Sequence, residues 1–491
     1  MLSFSSPTLA LLCATCALHV SPCVGLPENG PGPECALPAE QGRSLLQISQ
    51  LSTPAARNVS MATILESFYP FLCAADLNHK VEVRELALLC VLAVAVICVS
   101  LARCSRDMAA TSSRSSASGG PSRATTIRLD ALDGLRTLFT IHIIYYHRYD
   151  SDSLWWFSSN HEVTMFFMLS GFVQCLADLT KGVPFHSQRE IVVFIARRLG
   201  RLCPAYYAAG LWIVFGLDCK SGVAQTVAHF LFLQTLTPVI CTSSHWFAVN
   251  GPGWFVSALL LVSLFYPVFY RMLPRGSIMK QCFVLAVVIA LEGILKQIHV
   301  PNFTLGWFAP VRALPFVIGM LVAQLARSVC ASFPDWPGWG RLFDASLTMA
   351  LLASLTNSPP AIQGMCITAC FTLVCISCAG MAAYDSNNNK SGSFLEPLLS
   401  CRLLVAASAY SYGAYIYQVG VFNTVDLFKG RNPLPVSIEC FVCTCGPWLI
   451  AMFSKHCLED PLNTGLGKMM LGAEQPPDLK SASAEVEANR K

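Results

Sequence analysis

Long apolar runs recur along this chain, and they constrain its fold more than any other feature. The run at residues 86–102, LALLCVLAVAVICVSLA, contains no charged residue and is flanked by Arg84 and Arg103. A bilayer span needs about 20 mostly apolar residues, and a helix satisfies its own backbone hydrogen bonds there. The 491-residue chain is 54% hydrophobic and only 13% charged, whereas soluble domains carry about 25% charged residues. We therefore predict an all-α polytopic membrane protein.

Eleven further apolar stretches follow residue 128 and predict a bundle of about 10–11 transmembrane helices, with one more helix upstream. They cover residues 132–149, 163–180, 203–217, 222–243, 254–272, 281–299, 308–328, 342–356, 361–384, 403–425 and 434–455. The basic loops 181–201 and 271–280 should both be cytoplasmic by the positive-inside rule. Three apolar stretches lie between these loops, where an even number is required, so either 203–217 or 222–243 does not cross fully.

Composition also divides the chain into segments. A Ser/Gly-rich stretch with several arginines predicts a disordered linker on the cytoplasmic side. The predicted segments are a signal peptide or anchor at 1–26, a short extracytoplasmic region at 27–83, a transmembrane helix at 84–104, the basic linker at 105–127, the membrane domain at 128–465 and a charged cytoplasmic tail at 466–491. The protein is thus expected to be integral and multi-pass, in an endomembrane or the plasma membrane.

Neither nucleic acid nor a metal is expected as a partner. The net charge of +4 is small and scattered along the chain. Most of the 23 cysteines lie inside apolar runs, where cysteine behaves as a small hydrophobic residue. The cluster Cys440, Cys443 and Cys445 has no histidine beside it, which favours packing over metal binding.

The first stretch of the membrane domain, RLDALDGLRTLFTIHIIYYHRYD at 128–150, is unusually charged. In a helix, Arg136 and His147 are eleven residues apart and lie within about 20° of one face, and Asp133 joins that face. Ionisable groups inside a membrane usually face the bundle interior or a wet cavity and are functional candidates. Two interpretations stay open on spacing alone: a reactive stripe along one face, or charges that snorkel to the two membrane interfaces.

Six further motifs follow the first stretch, in an order that resembles the acyltransferase-3 family of integral-membrane O-acyltransferases. They are FFMLSGF (166–172), RRLGRLCPAYY (197–207), GPGWFVSALLLVSLFYPVFY (251–270), RALPFVIGMLVA (312–323), SAYSYGAYIYQ (408–418) and EDP (459–461). The resemblance runs from about residue 128 to residue 465 and implies a helical bundle of that family's type. It also implies transfer of an acyl group, with acyl-CoA as the expected donor, to a hydroxyl of a carbohydrate, lipid or other small acceptor. Acyl-CoA would be a co-substrate, and no resident cofactor is expected.

The resemblance suggests a role for each charged residue. His147 would be the general base, because neutral imidazole has a pKa near about 6.5, close to working pH. Arg198 and Arg201 would clamp the donor phosphates, the alternative being plain positive-inside anchoring. Arg136 would hold the donor or stabilise the developing oxyanion. His142 lies about 140° round the helix from His147 and should not substitute for it.

Two positions depart from the family pattern. Leu259 stands where many members have a glutamate, and Gln418 stands where they have a histidine. Ser170 beside Gly171 is either a nucleophile or, as we favour, a close-packing site. The alternatives to an active acyltransferase are a solute transporter with a polar central cavity and a catalytically inactive acyltransferase-like protein.

The arginine asymmetry generates a prediction about topology. Engineered N-glycosylation sites within residues 105–125 should remain unmodified, because this linker is expected on the cytoplasmic side, whereas Asn58 and Asn302 should lie on the opposite side. Glycosidase-sensitive gel shifts measure this directly. A glycosylated linker site would reverse the assignment.

Overall fold

The computed structural model describes Val91 and residues 129–471 with short gaps. The gaps are residues 150–158, 183–184, 186, 218–222, 237–248, 298, 301–302, 305–307, 357, 386–391 and 430–434. Several predictions therefore lie outside the described residues: the segments 1–26, 27–83 and 105–127, the helix 84–104 apart from Val91, the tail beyond residue 471, and both Asn58 and Asn302.

The described residues are mainly helical, so the prediction of an all-α membrane protein is confirmed. The α-helices are α1 (Asp130–Tyr149), α2 (Ser159–Lys181), α3 (Gln188–Gly216), α4 (Val223–Phe230), α5 (Gly253–Leu264), α6 (Tyr266–Met272), α7 (Ile278–Gln297), α8 (Ala309–Ser332), α9 (Trp339–Ser354), α10 (Pro360–Asp385), α11 (Glu396–Leu399), α12 (Arg402–Ser408), α13 (Ser411–Lys429), α14 (Val436–Ser454) and α15 (Asp460–Leu471). A π-helix, Lys455–Glu459, joins α14 to α15. The two-residue strands β1 (His299–Val300) and β2 (Phe303–Thr304) pair antiparallel, with His299 opposite Thr304.

Five helical segments in the described part of the chain are long and apolar enough to cross a membrane. They are α2, α7, α8, α10 and the continuous segment from α14 into α15; α5 and α6, bent by 54°, make a sixth if they form one span. The remaining helices that the sequence predicts to cross are more polar. Helix α1, for example, carries two aspartates and two arginines.

The exposed surface of α7 is apolar, as expected for a helix that faces lipid. Its large exposed apolar side chains recur every three or four residues, which places them on one helical face. They are Met279, Phe283, Val287, Leu291 and Ile294. A contiguous apolar stripe of this kind is unfavourable in water and is stabilised by hydrocarbon.

The lengths of α3 and α4 bear on the odd number of apolar stretches, three, between the basic loops 181–201 and 271–280. The stretch 203–217 proves to be the C-terminal half of α3, a helix of 29 residues that extends about 43 Å at 1.5 Å per residue. Helix α4 has 8 residues and extends about 12 Å, far less than the roughly 30 Å hydrocarbon core. Helix α4 is therefore too short to cross alone, which favours 222–243 over 203–217 as the stretch that does not cross.

Helices α2 and α8 pack with their backbones almost in contact. A Cβ atom on Gly171 would lie 2.0 Å from the carbonyl oxygen of Phe316, and one on Gly319 would lie 1.9 Å from that of Met168. Small residues permit this close approach between membrane helices. Gly171 thus has the packing role expected for the Ser-Gly pair, while the Ser170 side chain lines a cavity described below.

Helix α1 is fixed against two short helices by backbone contacts. Gly134 approaches the backbone of α11 so closely that a Cβ atom would lie 1.8 Å from the Leu399 carbonyl oxygen. Thr137 donates through Oγ1 to the Leu404 carbonyl oxygen of α12 at 2.7 Å. The polar face of α1 therefore points toward α12 and the start of α13 rather than toward lipid.

The α2–α8 contact generates a stability prediction. Gly171→Ala and Gly319→Ala should each lower the thermal unfolding midpoint of the detergent-solubilised protein, because the new methyl group meets a backbone oxygen that cannot rotate away. Overpacking of this kind typically costs about 1–3 kcal/mol. Gly465→Ala is the matched control, since nothing lies within 4 Å of its added Cβ. Equal midpoints for all three variants would contradict the packing interpretation.

Candidate active site

A cavity of about 500 Å³ opens among α1, α2, α3, α5 and α13, with the π-helix at one end. Its volume lies within the range of roughly 300–1,000 Å³ found for small-molecule sites. The polar and charged lining residues are Asp133, Arg136, Thr140, Ser170, Gln174, Arg198, Arg201, Ser408, Tyr410, Ser411, Tyr412, Tyr415, Lys455, Glu459, Asp460 and Asn463. The three arginines that the sequence singles out thus share one chamber.

The guanidinium groups lie close enough to repel one another. Arg201 acts electrostatically on both Arg136 and Arg198. Among the described residues, neither Arg198 nor Arg201 has a carboxylate oxygen within 4.0 Å. Like charges gathered in one cavity, two of them without a direct carboxylate partner, favour binding of an anion.

Arg136 is held at its side of the chamber by two contacts. Its Nη2 lies 2.9 Å from Asp133 Oδ1, which is the i to i+3 pair expected from the sequence. The same nitrogen donates to the Ser408 carbonyl oxygen at 3.1 Å, where α12 ends. Two acceptors on different helices fix the direction of this guanidinium.

Arg198 is held by an amide instead of a carboxylate. Its Nη2 donates to Gln174 Oε1 at 2.8 Å, and Gln174 Nε2 donates in turn to Asp178 Oδ2 at 2.7 Å. Tyr266 also donates to this carboxylate, at 2.7 Å. This chain of hydrogen bonds orients Arg198 without neutralising it directly, because the group touching it is neutral.

His147 lies beside the cavity rather than in its wall. The residue as a whole is exposed, its contact with Gln418 is partly buried, and its Nδ1 is 3.1 Å from Gln418 Oε1. The ring centroid lies 6.4 Å from that of Tyr415, which does line the cavity. Arg136 and His147 are eleven residues apart, or about 16 Å along the helix. The cavity contains both Arg136 and Tyr415, and His147 lies next to Tyr415 but outside the cavity lining.

An ion-pair network fixes the end of α1 next to His147. Arg148 donates from both terminal nitrogens to Asp426 of α13, at 3.0 and 2.7 Å, and also to Glu439 of α14. Lys429 completes the network with a 2.9 Å contact to Glu439. Bidentate arginine–carboxylate contacts are directional, so they hold this end of α1 against two neighbouring helices.

His142 is placed quite differently from His147. It is buried and pairs through Nδ1 with Glu162 of α2. It does not line the cavity, in agreement with the large angular separation of the two histidines on α1. The buried pair joins α1 to α2 and fits a structural role.

Three polar cavity residues lie outside the sequence motifs, namely Gln174, Lys455 and Asn463, and the first two bear on the charge of the cavity. Lys455 adds a fourth cation, and Gln174 supports Arg198. Lys455 had one available signal, since it stands four residues before Glu459 of the EDP motif. Gln174 had none, because its partner Arg198 is on another helix.

Leu259, the first departure from the family pattern, lines the cavity wall and is buried. Gln418, the second departure, is fully buried and contacts His147. Within the described residues, no group of three or more histidine, cysteine or acidic side chains is arranged to hold a metal ion.

These features define a multi-pass helical membrane protein with an internal cavity that is rich in arginine and ends beside an exposed histidine. The chain belongs to the acyltransferase-3 family: residues 129–452 match the model of its acyltransferase domain. It is also 23% identical over 284 residues to the acyltransferase MdmB of Streptomyces mycarofaciens, an alignment that covers 53% of this chain and 67% of that protein. No solved structure gives a significant match. The protein is thus a membrane acyltransferase by family.

Proposed function

We propose that this protein transfers an acyl group from acyl-CoA to a hydroxyl of a carbohydrate, lipid or other small acceptor, in an endomembrane or the plasma membrane. The observation that carries the proposal is the arrangement of one cavity, with Arg136, Arg198 and Arg201 on its wall and His147 beside Tyr415. This arrangement offers an anion site and a general base about 16 Å apart along α1.

The arginines suit the phosphate end of the donor. Coenzyme A carries several phosphate charges, and guanidinium groups bind phosphate oxygens with charge-assisted, often bidentate hydrogen bonds. The repulsion among Arg136, Arg198 and Arg201 is relieved when such an anion binds. Because Arg136 shares the chamber with the other two arginines and lies far from His147, we assign it to holding the donor.

The histidine suits the acyl end of the donor. A neutral ring nitrogen of His147 would take the proton of the acceptor hydroxyl while the hydroxyl oxygen attacks the thioester carbonyl carbon. The tetrahedral intermediate then collapses, the carbon–sulfur bond breaks, and the leaving sulfur takes the proton from His147. The products are an ester and free coenzyme A, and the charge and protons balance without a further reactant.

Leu259 does not remove any group that this chemistry uses. It adds an apolar patch to the cavity wall where a carboxylate would otherwise repel the donor phosphates. Neither an inactive protein nor a transporter would break the thioester bond of acyl-CoA. Release of free coenzyme A thiol therefore distinguishes an acyltransferase from both. Acetyl-CoA and palmitoyl-CoA, incubated with membranes that contain the protein, are suitable probes of this release.

Replacing both Arg198 and Arg201 with alanine should weaken binding of coenzyme A itself. Coenzyme A isolates the phosphate contacts from the acyl chain, and the wild-type affinity should fall steeply as salt is added. Each lost charge-assisted contact is typically worth about 1.5–3 kcal/mol. Titration calorimetry on the purified protein measures this change.

The control for the arginine pair is Arg197→Ala. Arg197 is the adjacent basic residue, is exposed, and does not line the cavity. It should bind coenzyme A as the wild type does. If the double variant also binds normally while remaining folded, Arg198 and Arg201 act only as membrane-side anchors.

His147→Ala should lower the rate of acyl transfer by about 10²–10⁴-fold, the usual contribution of a general base. His147→Gln should do the same, which guards against an effect of the cavity left by alanine. Transfer is measured as incorporation of labelled acyl groups together with thiol release, at matched expression.

His142 provides the comparison on the same helix. His142→Gln retains a polar partner for Glu162 and should keep near-normal transfer, whereas His142→Ala leaves a buried carboxylate and should destabilise the fold. A fully active His147→Ala protein, or loss of activity in a folded His142→Gln protein, would overturn the assignment.

A further inference from the structure

Gln418 makes two hydrogen bonds that together fix its orientation. Its Nε2 donates to the carbonyl oxygen of Tyr415 at 2.7 Å, and its Oε1 lies 3.1 Å from Nδ1 of His147. The side chain is fully buried in α13. Turning the amide over would bring two oxygens together at the Tyr415 carbonyl, so the contact decides which end of the amide faces His147.

The end that faces His147 is a carbonyl oxygen, which can only accept a hydrogen bond. A hydrogen bond to it therefore requires a proton on Nδ1 of the imidazole. In a neutral ring this leaves Nε2 without a proton and able to take one. Since His147 is an exposed residue and no hydrogen bond to its Nε2 is found in the described part of the chain, Nε2 is available to an acceptor hydroxyl.

We propose that Gln418 is a positioning residue that holds His147 in the tautomer with the proton on Nδ1, so that Nε2 is the basic atom in acyl transfer. The inference rests on the function proposed above and deepens it by naming the reacting atom. Among the residues that the structure describes, no other side chain is hydrogen-bonded to this ring: Tyr415 and Tyr146 approach it as aromatic rings, with centroids 6.4 and 5.8 Å away.

The neighbouring charges are engaged elsewhere. Arg148, the next residue on α1, pairs with Asp426 of α13 and Glu439 of α14. These carboxylates hold the end of α1, while the contact to the His147 ring comes from a neutral amide. The position of the ring proton is therefore set by hydrogen-bond direction rather than by an ion pair.

Two variants separate this role from a structural one. Gln418→Met removes both hydrogen bonds with little change in volume. Gln418→Glu removes the donor to the Tyr415 carbonyl but keeps an oxygen that can accept from His147. If Gln418 serves only to cap the Tyr415 carbonyl, the two variants should have the same His147 tautomer and the same kcat. If Gln418 sets the tautomer, both quantities should differ between the variants.

The first measurement is nitrogen NMR on protein labelled at histidine, with the His147 signals identified by their loss in His147→Gln. The chain has ten histidines, so this difference spectrum is needed. We expect a protonated Nδ1 in the wild type and in Gln418→Glu, and loss of that preference in Gln418→Met. A wild-type ring protonated on Nε2 and not on Nδ1 would overturn the proposal, whatever the protein catalyses.

The second measurement is kinetic and uses release of coenzyme A thiol from acetyl-CoA and palmitoyl-CoA. Gln418→Met should lower kcat by between about 10-fold and about 10⁴-fold, the range for removing a group that orients a functional histidine, with KM for the donor little changed. Gln418→Glu should recover most of the rate. Equal losses in both variants would assign Gln418 to structure alone.

Failure of this inference is distinguishable from failure of the proposed function. If His147→Ala remains fully active, the proposed general base is wrong even when the NMR result shows a protonated Nδ1. If His147 is essential but Gln418→Met is as active as wild type, the base stands and the positioning role of Gln418 is rejected.

Discussion

The charged face of α1 can exist inside a membrane protein only because neighbouring helices supply partners for it. Bringing an unpaired charge into hydrocarbon costs at least about 2.5 kcal/mol on the mildest scale. Arg136 finds Asp133 and the Ser408 carbonyl, Arg148 finds two carboxylates, and His142 finds Glu162. Apart from the Asp133 pair, which lies within α1, these contacts join α1 to other helices, so the charged residues also fix the position of the helix.

This arrangement has a consequence for the cavity. Because α1 is anchored near both ends, by Arg136 at α12 and by Arg148 at α13 and α14, its face between them is held at a fixed distance from α13. The close contact of α2 with α8 at Gly171 and Gly319 fixes the opposite wall. Walls anchored in this way favour a preorganised chamber, and preorganisation lowers the cost of binding a ligand.

The sequence was informative wherever a signal was local. Long apolar runs located the helices, because a helix that spans the bilayer needs about 20 apolar residues. The i to i+3 spacing placed Asp133 beside Arg136. The shared face of Arg136 and His147 was also a local inference, but the structure sets His147 outside the cavity wall. Helical spacing gives the direction of a side chain and does not reveal where a neighbouring helix closes the space.

Contacts between distant segments could not be predicted in the same way. Gln174 holds Arg198 across 24 residues, and Gln418 meets His147 across 271. Neither glutamine belongs to a periodic pattern in the sequence. A neutral amide also has no charge from which an opposite partner could be predicted. The apolar stretch 222–243 shows the same limit for the fold, because hydrophobicity alone did not reveal that the helix within it ends after eight residues.

The two departures from the family pattern have a common chemical character. Leu259 and Gln418 each place a neutral side chain where many members carry a titratable one, so the region around His147 and the cavity has fewer groups that compete for a proton. The change at 418 matters more, because a histidine there would lose its acceptor capacity on protonation, when both ring nitrogens become donors. A glutamine oxygen accepts at every pH. A neutral amide therefore keeps the direction of the hydrogen bond to His147 constant, and in the proposed reaction the proton of the acceptor hydroxyl is left to His147.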